Sequence, residues 1–407
     1  MSYRADYQNM QRHFTKSTDS FYMNAVNSST KALLKIDNRI DELVKKIELL
    51  SYVNPTNIET EKEKFFSSKY LTDPVFTYPS INFDRFNLHR ELFAQPIEQI
   101  EDLEIRQLYE DIIYAYSGLI ACIETIGEGK KFYYNSLHSF GTPTEADVEN
   151  AKFILHFKGE DAQDEQFLPK YTTEETQEKF REYSTRYDFS YHIKLSDKMS
   201  AIAMVLNNIQ TLVINKNHVF SENEIEVLTN HEIGVHMVTA INGMLHPLKI
   251  FSHGFPNYEE TQEGLAVFSE YMSNNLTVNR LKELAYRVIA VDGLAKGYSF
   301  SRTFRELHNQ YDLDRETAFY ITLRAHRGGG FTKDYLYLSG LKKVYNYYKQ
   351  GKDLKLLLTG KISLSYLNSI ASLHDKGLSV PAKHITDSYL QNKNSNKTIE
   401  YILDNLK

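Results

Sequence analysis

One cysteine in 407 residues, Cys122, excludes a disulfide framework and any cysteine-ligated zinc finger or iron–sulfur cluster, and it fits a reducing compartment. Basic residues are outnumbered. The 47 Lys and Arg against 53 Asp and Glu leave a net charge of −6, and no basic run offsets it, which argues against a nucleic-acid partner. Long apolar runs are missing too: the longest conspicuous uncharged stretch, Ile112 to Ile123, falls well short of the roughly 20 residues that span a bilayer. No membrane segment is expected. The N-terminus, Met1 to Asp6, leads into polar sequence without the apolar core of a secretory signal, which predicts a cytoplasmic protein. Tryptophan is absent, whereas 29 Tyr and 23 Phe supply aromatic surface for packing.

Apolar residues recur at helical spacing over Leu33–Ile47 and Leu103–Tyr116, with further helical patterning over Glu145–Phe157 and Glu174–Tyr187. Between the first two, Pro55, Pro74 and Pro79 predict an irregular surface stretch. From Tyr191 the texture becomes strand-like, with Ala201–Leu206 and Ile209–Ile214 flanking an Asn207-Asn208 turn, which predicts a small antiparallel sheet. Ser221 and Glu224 form a capping-box pattern that starts a helix at Glu222, ending near the turn dipeptide Asn242-Gly243. The rest reads as helical, with a joint at Asn392–Lys397 before a short terminal helix. The fold class expected is therefore α+β, mainly α-helical. A helical N-terminal region, 1–187, precedes a catalytic part, 188–407, with the zincin-like combination of a small sheet and an HExxxH helix.

The informative segment is His231-Glu232-Ile233-Gly234-Val235-His236. In the zinc-protease helix motif the histidines are four apart, roughly 40° around the axis; five apart they diverge by about 140° and cannot ligate one ion. A one-residue π-bulge removes that mismatch, and Gly234 is where it costs least. Catalytic zinc takes three protein ligands and leaves one position open for water. The best third ligand is Glu263, in Thr261-Gln262-Glu263-Gly264-Leu265-Ala266, at the start of a second helix where Gly264 suits close helix approach. Glu259 and Glu270 share the helical face of Glu263 and are placed to orient a ligating histidine, although a solvated charge is the simpler reading of each.

Together, HEIGVH and TQEGLA make the segment from about Ala201 to Gly340 resemble the QEGLA-motif family, known in bacteria as flavohemoglobin expression-modulating proteins and related to the eukaryotic microtubule-associated tyrosine carboxypeptidases. The likeness includes Asn242-Gly243, Arg324-Ala325-His326-Arg327 and Phe331-Thr332-Lys333-Asp334; the N-terminal helices match only loosely. The resemblance implies one zinc per chain held by His231, His236 and Glu263, with Glu232 as catalytic base.

Removing a C-terminal residue also requires a partner for the free carboxylate, and Arg327 and Lys333, flanking Gly328-Gly329-Gly330, are the candidates. The alternative role of Arg327 is to neutralise helix-terminal carbonyls. The glycine run does not satisfy the phosphate-loop pattern. Tyr337 is a candidate oxyanion donor and His326 a candidate substrate contact. Gly127-Glu128-Gly129-Lys130 reads as a surface turn. The function expected is a zinc metallopeptidase of carboxypeptidase type, acting on a peptide or protein C-terminus with a tyrosine-like preference, its cleft lying between the N-terminal helices and the catalytic unit. The alternatives are a dipeptidyl-peptidase III-like HExxxH peptidase and a non-catalytic, zinc-stabilised regulatory protein.

Overall fold

The computed structural model describes residues 28–161, 163–197, 202–206 and 210–407. The chain opens with α1 (Ser28–Val44), whose Leu33, Ile36, Ile40 and Leu43 are buried, as their spacing predicts. The proline-bearing stretch that follows is not wholly irregular: it contains α2 (Ile58–Ser67), bounded by Pro55 and Pro74. Phe65 of α2 is buried in an aromatic cluster, with ring centroids 5.1 Å from Phe300 and 4.9 Å from Phe304. Such contacts help offset the entropy of ordering a short, charged helix.

Next come α3 (Leu103–Glu124), α4 (Lys130–Phe140), α5 (Glu145–Leu155) and α6 (Thr173–Thr185). Three strands follow, β1 (His192–Ser196), β2 (Ala203–Leu206) and β3 (Thr211–Asn215). The sheet is mixed, which corrects the antiparallel expectation: β2 and β3 pair antiparallel, but β1 lies parallel to β3 in the order β1-β3-β2. The physical reason is burial. Leu212 and Ile214 are fully buried, so β3 takes the centre and β2 is left at an edge. The Asn207-Asn208 turn lies outside the described residues.

The C-terminal half includes α7 (Glu222–Leu228), α8 (Val238–Met244), α9 (Tyr258–Met272), α10 (Val278–Ala295), α11 (Arg315–His326) and α12 (Leu336–Lys349), and two further helices follow, α13 (Leu367–Asp375) and the expected short terminal helix α14 (Lys397–Asp404). α8 ends at Met244, one residue beyond Asn242-Gly243, where the sequence places its end. Asn242 is buried, and its amide donates at 2.8 Å to the carbonyls of Leu358 and His384.

One apolar core runs from α1 through α3 and α5 to α9, α10 and α12. A smaller one joins α6, the sheet and the helix of the histidine motif. Asp37 of α1 ties the halves together, accepting from the amides of Lys249 and Ile250 and, at 2.7 Å, from the hydroxyl of Tyr109. Among the described residues no helix is long and apolar enough to cross a membrane.

Candidate metal centre

The entering helix is capped as its sequence predicts. The Ser221 hydroxyl accepts from the Glu224 amide at 3.2 Å, and the Glu224 carboxylate accepts from the Ser221 amide at 2.8 Å. α7 continues without a break into a π-helical segment, Thr229–Met237, and then α8. The wider turn is visible where the Val238 amide donates to the Ile233 carbonyl, five residues back. Residues five apart therefore face the same way, and the His231 and His236 ring centroids lie 5.2 Å apart. The distortion spans nine residues, more than the single-residue bulge expected.

Glu263 arrives from α9, and the ligand atoms of His231, His236 and Glu263 all lie within 4.8 Å of one another. That convergence depends on a close crossing of α9 and α12: a Cβ on Gly264 would stand 2.3 Å from the carbonyl carbon of Gly340. Glu263 Oε2 lies 3.7 Å from His236 Nε2 and is buried with no hydrogen-bond partner among the described residues. A buried carboxylate oxygen without a donor is costly, and a cation shared with two imidazoles removes that cost. Two histidines and one carboxylate are also a recognised donor set for catalytic zinc, at about 2.0–2.2 Å per ligand. The residues present fit the metal.

The supporting contacts prepare each donor. Glu270, fully buried, accepts from His231 Nδ1 at 2.8 Å, which leaves Nε2 as the free nitrogen, and Arg280 Nε reaches Glu270 at 3.3 Å. Burial opposes protonation of His231, but the Glu270 contact prevails and raises its pKa. Burial pushes His236 down to about 3, so its ring stays neutral. For Glu263 burial favours the acid, yet the Lys333 ammonium prevails and holds the pKa to about 2. Glu232, next to a histidine but outside the three, is pushed up to about 7 by burial, partly opposed by the charge of His231. The Val205 amide of β2 bonds to Glu232, so an edge strand lies beside it.

Lys333 donates to Glu263 Oε1, placing it against a candidate ligand. Tyr337 is half-buried, with the Lys333 ammonium 5.3 Å and the Arg287 guanidinium 4.8 Å from its ring centre. Arg327 is buried, with Nη1 donating to Asn54 Oδ1. His326 is engaged elsewhere: its Nε2 is 2.8 Å from Thr303 Oγ1 and its ring packs on Phe300. Of the two acids sharing the Glu263 face, Glu270 hydrogen-bonds a histidine, and its solvated-charge reading gives way. The segment at Gly127 is a surface turn as expected, with Gly127, Glu128 and Lys130 exposed, and it also packs against the glycine run. The Gly127 amide donates to the Gly328 carbonyl at 2.7 Å, and Gly328, Gly329 and Gly330, all at positive φ, lie against α4 and its N-terminal turn.

Sequence comparison bears on this geometry. The sequence model of the family described as microtubule-associated tyrosine carboxypeptidase matches residues 63–407. The chain belongs to this family. Microtubule-associated tyrosine carboxypeptidase 1 of Rattus norvegicus is 25% identical over 329 residues, covering 77% of this chain and 60% of the relative. The protein of the same name from Mus musculus is 26% identical over 330 residues, with the same shares. The chain thus spans 60% of the length of these relatives. The family match reaches well beyond the motif segment 201–340 and takes in α3 to α6, so these N-terminal helices belong to what the family shares.

The motifs pointed to His231, Glu232, His236 and Glu263. They did not single out Arg280, Arg287 or Asn54, which carry no local pattern; the approach of Asn54 to Arg327 spans 273 residues of chain.

Proposed function

We propose that this chain is a zinc-dependent metallopeptidase of carboxypeptidase type, with one zinc per chain, that removes a C-terminal residue from a peptide or protein. The names of its relatives suggest tyrosine at that position, and the reading places the activity in the cytoplasm. The observation that carries it is the convergence of His231, His236 and Glu263 on one point, with Glu263 Oε2 buried and without a hydrogen-bond partner among the described residues.

Bound zinc would supply Lewis acidity to the scissile carbonyl and to the attacking water. Glu232 is the base: a buried carboxyl near neutral pKa can accept a proton from water and return it to the leaving amine. Glu270 holds the His231 ring in one tautomer and one orientation. Lys333 occupies one oxygen of Glu263 and keeps the group ionised. The hydroxyl of Tyr337, whose ring lies under the Lys333 ammonium, is the donor for the developing oxyanion. The edge of β2, next to Glu232, receives the substrate backbone as an added strand.

The test is incubation of the full chain with a peptide library of diverse C-termini, read by mass, alongside metal analysis. Loss of single C-terminal residues, abolished in Glu232→Gln while about one zinc per chain is kept, is the expected result. Cleavage that survives C-terminal amidation but not N-terminal acetylation would replace the carboxypeptidase reading with a dipeptidyl-peptidase one. Zinc without any hydrolysis would leave a regulatory protein.

A further inference from the structure

The far side of the π-helical segment borders a cavity outside the candidate metal centre. Thr229 and Gly234 stand two residues before His231 and His236, about half a turn from the imidazoles, so they share the face turned away from them. Tyr183 of α6 closes that face. A Cβ on Gly234 would stand 3.3 Å from the Tyr183 hydroxyl, and the Thr386 hydroxyl donates to the Gly234 carbonyl at 3.4 Å.

The cavity, of about 190 Å³, lies between α6, the start of the π-helical segment and the short helical turn Asp387–Leu390. Its floor is polar: Tyr183, Thr229, Asn230 and Ser388 line it, and all four are buried. The Tyr183 hydroxyl has no hydrogen-bond partner among the described residues, while the neighbouring hydroxyls of Tyr187 and Thr386 are engaged with the Asp387 amide and the Gly234 carbonyl. A buried hydroxyl left so carries a cost that a polar ligand atom removes.

Charge of both signs rings the mouth. Lys179, Arg186 and Lys393 line it together with Glu182, Glu226 and Asp387; all six are exposed, and none is in an ion pair among the described residues. A simple anion entering here would meet three carboxylates, and a simple cation three basic groups. A ligand carrying one charge of each sign suits both sets.

We infer that this cavity is a regulatory site for a small zwitterion, a free α-amino acid, whose binding stiffens the π-helical segment and tightens its hold on zinc. Two contacts carry the coupling. One is the Tyr183 hydroxyl against Gly234, and the other is Ser273, which lines the cavity and whose hydroxyl donates at 3.2 Å to the carbonyl of Glu270, the residue behind His231. The cavity stands apart from the peptidase reading, but the regulation rests on that reading, in which the amino acid is the reaction product.

The test is calorimetry of L-tyrosine on the zinc-loaded full chain, with tyramine and 3-(4-hydroxyphenyl)propionate as probes that each lack one charge. Tyrosine should bind about tenfold more tightly than either. Arg186→Glu combined with Lys393→Glu, which reverses two exposed charges far from the catalytic carboxyl in sequence, should abolish tyrosine binding while melting temperature and zinc content match wild type. Tyr183→Phe, which removes only the floor hydroxyl, should weaken binding about fivefold. Saturating tyrosine should raise zinc affinity about fivefold in a chelator competition, and zinc should raise tyrosine affinity by the same factor. Absence of tyrosine binding, binding that survives the double charge reversal or Tyr183→Phe undiminished, or a single-charge probe that binds as well as tyrosine overturns the site. An unchanged zinc affinity overturns the regulation. Binding with full coupling in a wild type that hydrolyses no peptide keeps the site and removes the peptidase reading instead.

Discussion

Gly264 and Gly340 meet backbone to backbone: a Cβ on Gly340 would stand 2.0 Å from the Glu260 carbonyl oxygen and 3.0 Å from the Gly264 nitrogen. This contact sets the distance between α9 and α12, and Glu263 is the residue immediately before it. Gly340→Ala should force the helices apart and destabilise the protein by about 1–3 kcal/mol, as overpacking of a tight core does. Metal content should fall with it, because Glu263 moves away from the histidines. Thermal melting with parallel zinc analysis checks both, and an unchanged melt would contradict the contact.

Glu270→Gln keeps the shape of the side chain but removes the charge facing His231 and Arg280. Zinc affinity should drop 10–100-fold, the usual cost of losing a carboxylate behind a ligating histidine. Competition with a chromogenic chelator measures it. A variant that holds zinc as tightly as wild type would show that the buried carboxylate serves packing alone.

Lys333→Met leaves Glu263 without the ammonium that holds its pKa at about 2. Protons should then compete better for Glu263, so zinc retention should fail at a higher pH than in wild type. The comparison is zinc content after dialysis across pH 4 to 8; coincident profiles would reject the role given to Lys333.

Asp37 gives a pH dependence of stability far from the metal. Burial raises its pKa from 3.8 to about 6, against the bonds from Lys249, Tyr109 and Ile250 that favour the anion. The folded protein therefore holds this proton more tightly than the unfolded chain does. The resulting stabilisation is fully present below about pH 4 and is lost as pH rises through about 6. Relative to an Asp37→Asn variant, the wild type should gain roughly 2–3 kcal/mol between pH 7.5 and pH 4. Urea denaturation of both proteins across that range reads the difference, and parallel curves would refute it.

Much of this site is local in sequence, and that part was legible. The capping box at Ser221, the five-residue histidine spacing and its need for a π turn, and the glycine beside Glu263 each follow from geometry within a few residues. The sheet was half legible, because alternation reveals strands but not which of them is central. The end of the motif helix was legible to within a residue: Asn242-Gly243 lies in its last turn, and the Asn242 side chain donates to the carbonyls of Leu358 and His384. The partner of the glycine run was hidden, since Gly127 and Gly328 meet across 201 residues of chain.

The sequence by itself determined the kinds of donor atom, their order along two helices and the local distortion required to aim them, because helical period and capping act over one or two turns. Only the tertiary structure decided that Glu270 stands behind His231, that Lys333 is committed to Glu263, and that Arg327 Nε is buried with no hydrogen-bond partner among the described residues. Those outcomes depend on which buried charges are brought together by faces distant in the chain, and on the loss of solvent screening there.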